Sequence, residues 1–478
     1  MKQILASLLG ACVLFGGSFV GATDDPNIIF ILVDDMGYGD PGCFNSQSKI
    51  PTPNIDSLAR AGMRFTDAHA PGALCHLSRY GLLTGQHPFR INVNLWRQQP
   101  LIQESQMTIA SLLESQGYHT AMVGKWHLGF QENGYDQPLP GGPADRGFNS
   151  FFGIRASTDI PPYFYIRGNQ AVSAPTDHID ANNSPGWSPI QGAFWRAGGI
   201  APDLQLKDVL PRFTDEAVTV IQNHARNDSD KRLMLYLAYP APHTPWLPAP
   251  EFQRRSKAGM FGDFLVMVDA MIGRVLTALD TAGMGDDTLV IFTSDNGPVW
   301  LDADIHRFGH DSVGGLRGMK ADAWEGGHRM PFIARWPGRV KAGSTSEQTI
   351  CFTDMLATFA AITGAELPAD AGPDSFNILP VLLGKQPPEE PIRGPLVIPA
   401  SGMMSIRSGP WKLINGLGSG GFSQPRRVKP TENGATGQLY QLIDDPAETN
   451  NLYTKYPHIV EQLEDELRRI QNQQKTRP

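Results

Sequence analysis

Hydrophobic residues in this chain gather in short unbroken runs that end on polar punctuation. The run Asn27 to Val33, NIIFILV, is apolar after its first residue and stops at Asp34-Asp35-Met36-Gly37. Lack of alternation predicts a strand buried on both faces of a parallel sheet. The pattern recurs at 233–239 (LMLYLAY), which runs into Pro240-Ala241-Pro242-His243, and at 288–293 (TLVIFT), which runs into Ser294-Asp295-Asn296-Gly297. Helical spacing lies between. TIASLLESQG, 108–117, predicts a short helix stopped by Gly117, then a strand from Thr120 to Val123 leading into Gly124-Lys125-Trp126-His127. From Phe264, apolar Leu265, Val268, Met271, Ile272, Val275, Leu276 and Leu279 recur at helical spacing until Gly283 and Gly285 break it. Such alternation predicts an α/β sandwich, a mostly parallel sheet between helices.

Two stretches depart from that rhythm. Residues 155–205 are rich in Pro, Gly, Asn and aromatics without periodicity, which predicts a long functional loop region over a pocket. The Pro-rich GKQPPEEPIRGP (384–395) predicts a boundary, with the main α/β domain at 23–388 and a smaller unit at 389–478. That unit holds short strand-like runs and a terminal amphipathic helix with Ile459, Leu463, Leu467 and Ile470 on one face. It predicts a small antiparallel sheet plus helix.

The N-terminus, one lysine followed by an apolar run and Val20-Gly21-Ala22, predicts a signal peptide over 1–22 and export to the periplasm or beyond. Glycines interrupt the run, which disfavours stable membrane insertion. A lipoprotein reading at Cys12 ranks second, because the chain stays apolar beyond it. Removal of the leader leaves Cys43, Cys75 and Cys351, an odd set that cannot all pair. A formal net charge of −8 over 478 residues excludes a nucleic-acid partner, which needs a basic surplus. An anionic small substrate needs only a local cluster of cations.

Polar residues cluster past the C-terminal ends of the predicted strands, the edge where open α/β sheets bind ligands. Asp34, Asp35, Asp295 and Asn296 would converge there if their strands are neighbours. Either segment alone reads as a turn. Two unpaired carboxylates about 4 Å apart repel by on the order of 4 kcal/mol at an effective dielectric near 20, so convergence calls for a cation. All-oxygen donors suit calcium, or magnesium, and not zinc. Gly37-Tyr38-Gly39-Asp40-Pro41-Gly42 matches G-x-G-x-x-G, but Asp34, Asp35 and Asp40 would repel a pyrophosphate and Pro41 lacks an amide donor, so a dinucleotide site is set aside. Lys125 and His127 alternate along an extended segment, His243 follows a strand, Arg79 follows Cys75 by four residues, and Lys320 lies in GLRGMKADAWEGG. Together these suit a divalent-anion ester: fixed cations for its oxygens and a histidine or lysine to protonate the leaving alkoxide. Cys75 itself reads as a small buried hydrophobe or as a thiolate activated by Arg79. Tyr163, Tyr165, Trp187 and Trp195, with Trp96, Arg97, His306, Arg307 and His310, are candidates for the pocket mouth.

These segments resemble the sulfatase family of the alkaline-phosphatase superfamily. The match spans nearly the whole chain after the leader. It comprises Asp34 to Asp40, Cys75 to Arg79 with Leu83-Thr84-Gly85, Gly124 to Gly129, His243-Thr244-Pro245 and Ser294 to Gly297. It continues with Leu316-Arg317-Gly318 and Lys320, Glu325-Gly326-Gly327, Pro331-Phe332 and LYQLIDDPAETNNL. The resemblance implies an alkaline-phosphatase-like sandwich and a cysteine that is not used as a thiol. Cys75 would be oxidised to formylglycine by a formylglycine-generating or maturase enzyme, giving an aldehyde that hydrates to a geminal diol. By resemblance, one diol oxygen attacks sulfur and displaces the alcohol, and loss of the second hydroxyl proton expels sulfate. Arg79 would hold the diol, His127 would be the base for the second step, Lys125 and Lys320 would grip sulfate oxygens, and His243, helped by Lys320, would protonate the leaving oxygen. Asp34, Asp35, Asp295 and Asn296 would bind calcium. The implied substrate is a sulfated small molecule or polysaccharide. One position departs from the family: Leu77 stands where it has proline, or sometimes alanine, two residues after the cysteine. The alternatives are a phosphodiesterase or phosphonate hydrolase on the same scaffold, or a non-catalytic binder of sulfated glycans should Cys75 keep its sulfur.

Overall fold

Three apolar runs lie side by side at the centre of one sheet. The computed structural model describes residues 25–227 and 230–477, so the expected leader at 1–22, with Cys12, lies outside the described residues. The strands, in chain order, are β1 (Asn27–Asp34), β2 (Met63–His69), β3 (His119–Lys125), β4 (Ser150–Ile154), β5 (Ile166–Arg167), β6 (Gln170–Ala171), β7 (Asp177–Ile179) and β8 (Gly198–Ile200). They continue with β9 (Leu233–Pro242), β10 (Thr288–Ser294), β11 (Arg329–Arg335), β12 (Ser344–Ser346), β13 (Ile350–Cys351), β14 (Leu396–Ala400), β15 (Met403–Ser408), β16 (Trp411–Ile414) and β17 (Gln438–Gln441). The large sheet runs β12-β2-β11-β10-β1-β9-β3-β4-β5-β6, with β13 also on β2. Its centre, β10-β1-β9-β3-β4, is parallel, and every residue of β1, β9 and β10 is buried. Burial on both faces explains why these strands carry no polar alternation.

The helices are α1 (Pro53–Ala61), α2 (Cys75–Thr84), α3 (Ile109–Ser115), α4 (Val209–Asn227), α5 (Gly259–Thr281), α6 (Asp302–Phe308), α7 (Met355–Thr363), α8 (Leu379–Leu382) and α9 (Pro457–Asn472). Six of them pack in two groups, α1, α4 and α5 together and α2, α3 and α7 together. No helix among the described residues is long and apolar enough to cross a membrane. The 155–205 region is less irregular than expected. It carries β5 and β6 on the sheet edge and the β7–β8 ribbon, with Tyr163 donating its amide to Gly199.

A second sheet, β14-β15-β16-β17, is antiparallel throughout. Helix α9 closes one face of it, burying Val460, Leu463, Leu467 and Ile470 against Val397, Ile406, Leu413 and Leu439. Val460 takes the fully buried place expected for Ile459, which packs at the margin.

Buried charge joins the two sheets. Lys412 on β16 places its ammonium 2.9 Å from both Glu325 and Glu448, while Arg329 on β11 and Arg407 on β15 converge on Asp67 of β2. Three cations meet three carboxylates, around an imidazole pair in which the Nδ1 atoms of His69 and His328 approach to 3.0 Å. Burial holds both imidazoles neutral, reinforced at His328 by Lys412. Removing one member of a buried ion cluster strands its partners, at a cost of about 3–5 kcal/mol. Lys412→Met is therefore expected to lose about that much stability in urea unfolding; a loss below about 1 kcal/mol would mean that water screens the cluster.

Candidate active site

The polar residues predicted at strand ends meet at one edge of the large sheet. Strands β1 and β10 are parallel neighbours in register Val33 to Ser294, so the residues that follow must face one another. The Asp35 amide donates to Asp295 Oδ1 at 3.3 Å, the Met36 amide to Ser294 Oγ at 2.9 Å, and Asn296 Nδ2 to Asp35 Oδ1 at 2.6 Å. Asp34, Asp295 and Asn296 are wholly buried.

Helix α2 brings the cation that makes this tolerable. From the second turn of α2, Arg79 reaches Asp295 Oδ2 through Nε (3.1 Å) and Nη2 (2.8 Å), Asp34 Oδ2 through Nη2 (3.1 Å) and the Lys125 carbonyl through Nη1 (2.8 Å). The guanidinium spends its hydrogen bonds on the two carboxylates and the Lys125 carbonyl, while burial and the Asp34 charge keep the Cys75 thiol protonated, which sets aside a thiolate activated by Arg79. Lys125 donates to Asp34, and Lys320 to both oxygens of Asp35 at 2.6 and 2.8 Å. Strand β3 delivers Lys125 through Gly124, where a Cβ would stand 2.0 Å from the Ala238 carbonyl oxygen and φ is +120°. Asp35, His127 and Ala321, at or beside the charged positions, also hold left-handed backbone (φ 67°, 61° and 70°), a conformation that concentrates at functional sites.

Electrostatics sort the groups. Burial would push Asp34 up, but Lys125, His243 and Arg79 overcome it and hold the carboxyl well below its usual range. Burial and the neighbouring Asp34 charge push Asp295 up to about 6 despite Arg79. Asn296 Oδ1 is buried with no hydrogen-bond partner. An under-compensated carboxylate and an orphan amide oxygen beside two further carboxylates are donors suited to a hard cation, so the residues present fit calcium.

Cys75, the first residue of α2, sets its Sγ 3.5 Å from Asp34 Oδ1. Burial and the Asp34 charge push its thiol far up, against Lys125 and Lys320. It opens into a cavity of about 260 Å³ that also exposes His127, His243 and Lys320. The His243 imidazole points Nε2 toward Asp35 Oδ2 (3.6 Å) and accepts its orientation from Nδ1, 2.8 Å from the Thr244 carbonyl. His127 Nδ1 is buried without a partner, and burial followed by Lys125 holds the ring well below its usual pKa, hence neutral and able to take a proton.

All ten site residues named from the sequence thus gather at this edge. The proposed pocket mouth fares less well. Trp96 and Arg97 line the cavity, but Tyr163 and Tyr165 are packed into the core, Trp187 packs on Trp246 and Phe308, and Trp195 donates its ring NH to the Asp180 carbonyl. His306 and Arg307 are exposed on α6. His310 is buried against Asp40, at 2.8 Å, where it closes the glycine-rich loop whose Gly37 amide is spent on Asp40. Sequence reasoning missed Ser157 and Asp159, which line the cavity with a buried hydroxyl and a buried Oδ1 that lack hydrogen-bond partners. Their signal was available: they follow β4, which lies parallel beside β3 and ends at the same edge.

Comparison with known proteins agrees with this geometry. Residues 26–365 match the family model described as Sulfatase. An N-acetylgalactosamine-6-O-sulfatase of Bacteroides thetaiotaomicron is 32% identical, covering 93% of this chain and 93% of its own. Human arylsulfatase A is 33% identical over 89% of this chain and 83% of its own. A solved structure from work on glycosaminoglycan metabolism by Bacteroides thetaiotaomicron superimposes with a TM-score of 0.82 at 31% identity, covering 94% of this chain and 100% of its own.

A raised thiol pKa means little thiolate at neutral pH. Where position 75 carries sulfur, its alkylation at pH 8 is expected to run at least about tenfold slower in the native protein than in the urea-unfolded chain, read by peptide mass. Labelling as fast as in the unfolded chain would mean a reactive thiolate.

Proposed function

The chain belongs to the sulfatase family, and from that premise we propose that it hydrolyses sulfate esters of a carbohydrate through a formylglycine formed at Cys75, with calcium held by Asp34, Asp35, Asp295 and Asn296. The observation that carries the reading is the Cys75 position: inside the cavity, 3.5 Å from a carboxylate, with its thiol kept protonated. A neutral thiol there is a poor nucleophile. A hydrated aldehyde at that position supplies an oxygen nucleophile that also carries its own exit, and bound calcium supplies positive charge that polarises the ester oxygens.

The chain's own residues have distinct tasks in this reading. Lys125 and Lys320 hold sulfate oxygens, and Ser157 offers a hydroxyl to the same group. Arg79 keeps α2, and so position 75, fixed against Asp34 and Asp295. His243 gives a proton from Nε2 to the departing sugar oxygen. His127, neutral and with Nδ1 free, takes the proton that releases sulfate. Three carboxylates against Arg79, Lys125 and Lys320 balance in charge, so a bound dication would leave the positive surplus that the singly charged sulfate ester meets. Phe194, half-buried on the cavity wall, offers apolar surface to a sugar ring. The carbohydrate reading draws further support from the bacterial relative, an N-acetylgalactosamine-6-O-sulfatase. A leader over 1–22 fits an exported enzyme that meets its glycan outside the cytoplasm. Leu77, which packs on Gly72 in the folded chain, makes conversion of Cys75 the step to examine first.

Peptide mass spectrometry of protein from its native host is expected to find position 75 as the aldehyde; intact sulfur in every molecule would leave only a glycan binder. Cys75→Ala is expected to lower kcat on sulfated sugars at least about 10³-fold, with phosphate esters of the same sugars turned over far more slowly than the sulfates by the unaltered enzyme. Chelation of calcium is expected to remove activity and lower Tm, both restored by added calcium.

A further inference from the structure

The cavity holds one positive charge more than its carboxylates neutralise. Its charged lining consists of Asp35, Asp159, Lys320, Arg196 and Arg97. Lys320 is matched by Asp35, and Arg196 is clamped by the side chain and the carbonyl of Asp159. Arg97 forms no ion pair among the described residues. Its guanidinium lies over the Trp96 ring, 5.1 Å from the centroid. Trp96 is in turn buried and packed edge-on against His127 at 4.3 Å, so the platform under Arg97 is part of the site wall and not a free surface side chain. Arg97 is also near enough to the half-buried His76 for its charge to add to burial, Lys125 and Lys320 in holding that imidazole down to about 4.

In the hydrolase reading Lys125 and Lys320 are committed to the reacting ester. Arg97 is at the rim, exposed, stacked and unmatched. We propose that Arg97 is a specificity-determining residue that selects substrates bearing a second anionic group, a sulfate or a carboxylate, beside the ester that is cleaved. The proposal rests on the hydrolase reading above and adds the charge of the leaving sugar to it. A stacked guanidinium presents a planar pair of N–H donors that suits either oxyanion, and a substrate without the second charge leaves those donors to water.

The test uses the full-length protein and three probes: a hexosamine 6-sulfate, the matching 2-N,6-O-disulfate, and the 6-sulfated hexosamine linked to a uronic acid. In the unaltered enzyme kcat/KM is expected to be about tenfold higher for one or both doubly charged sugars than for the monosulfate, as a charge-assisted hydrogen bond predicts. In Arg97→Gln that ratio is expected to fall to about one, and in Arg97→Lys to recover in part. Whether the disulfate or the uronate carries the preference identifies the group that is read. A ratio that is the same in the unaltered enzyme and Arg97→Gln, or a preference for the monosulfate, overturns the proposal whatever the absolute rates. Calorimetric titration of the same sugars into Cys75→Ala, with and without Arg97→Gln, measures the same ratio without turnover. Absence of hydrolysis with an Arg97-dependent binding ratio would reject the hydrolase reading and keep this one; hydrolysis with an Arg97-independent ratio would do the reverse.

Discussion

One buried guanidinium holds this site together. Two parallel neighbouring strands end at Asp34 and just before Asp295, both without solvent contact, and two unpaired carboxylates about 4 Å apart would repel by on the order of 4 kcal/mol. Arg79 answers both with one planar group while its remaining nitrogen takes the Lys125 carbonyl, which ties in a third strand end. A lysine, with a point charge and no fork, would satisfy one carboxylate and leave the other. Because Arg79 lies one helical turn beyond Cys75, the contact that neutralises the strand ends also fixes where the reactive position can be. Sheet, helix and chemistry share a single anchor.

The same logic of matched charge appears twice more, at different depths. At the floor of the cavity the three carboxylates and three cations lie within one hydrogen-bonded group. Between the sheets, Lys412, Arg329 and Arg407 repeat the arrangement around Glu325, Glu448 and Asp67. The cluster between the sheets keeps its imidazoles neutral and joins the two sheets, while Asp67, Arg329 and Arg407 at its margin line a second cavity. The edge cluster differs in what surrounds it: Cys75, His127, His243 and Lys320 share its cavity, beside an orphan amide oxygen.

Much of this was legible in the primary structure, and for a definable reason. Strands buried on both faces write themselves as unbroken apolar runs, and in an open α/β sheet the residue after such a run is at the ligand edge whatever its identity. Asp34, Lys125, His243 and Asp295 were found that way. What failed was the assignment of aromatic and cationic residues in the connecting segments. Tyr165 and Trp187 look like a sugar platform from composition, yet Tyr165 stacks on Phe152 and Trp187 on Phe308, because a large ring covers whatever apolar surface the backbone brings near. His310 was misread since its partner, Asp40, is remote in sequence. The clamp between the sheets was invisible for the same reason. Asp67 lies hundreds of residues from Arg329 and Arg407, and Lys412 lies dozens from Glu325 and Glu448, and no local pattern marks contacts of that range.

The C-terminal sheet touches the chemistry itself. The loop after β16 brings Gly421 so close to Ala321 that a Cβ there would stand 2.2 Å from its carbonyl carbon, and Phe422 beside it forms part of the cavity wall next to Lys320. The vessel is therefore assembled from both ends of the polypeptide: the reacting groups come from the first three quarters of the chain and one panel of the enclosure from the last. Lineages could reshape that panel by lengthening or shortening a surface loop without disturbing any group that handles protons or oxygens. Diversity in what is accepted and constancy in what is done would then evolve on separate stretches of the same gene.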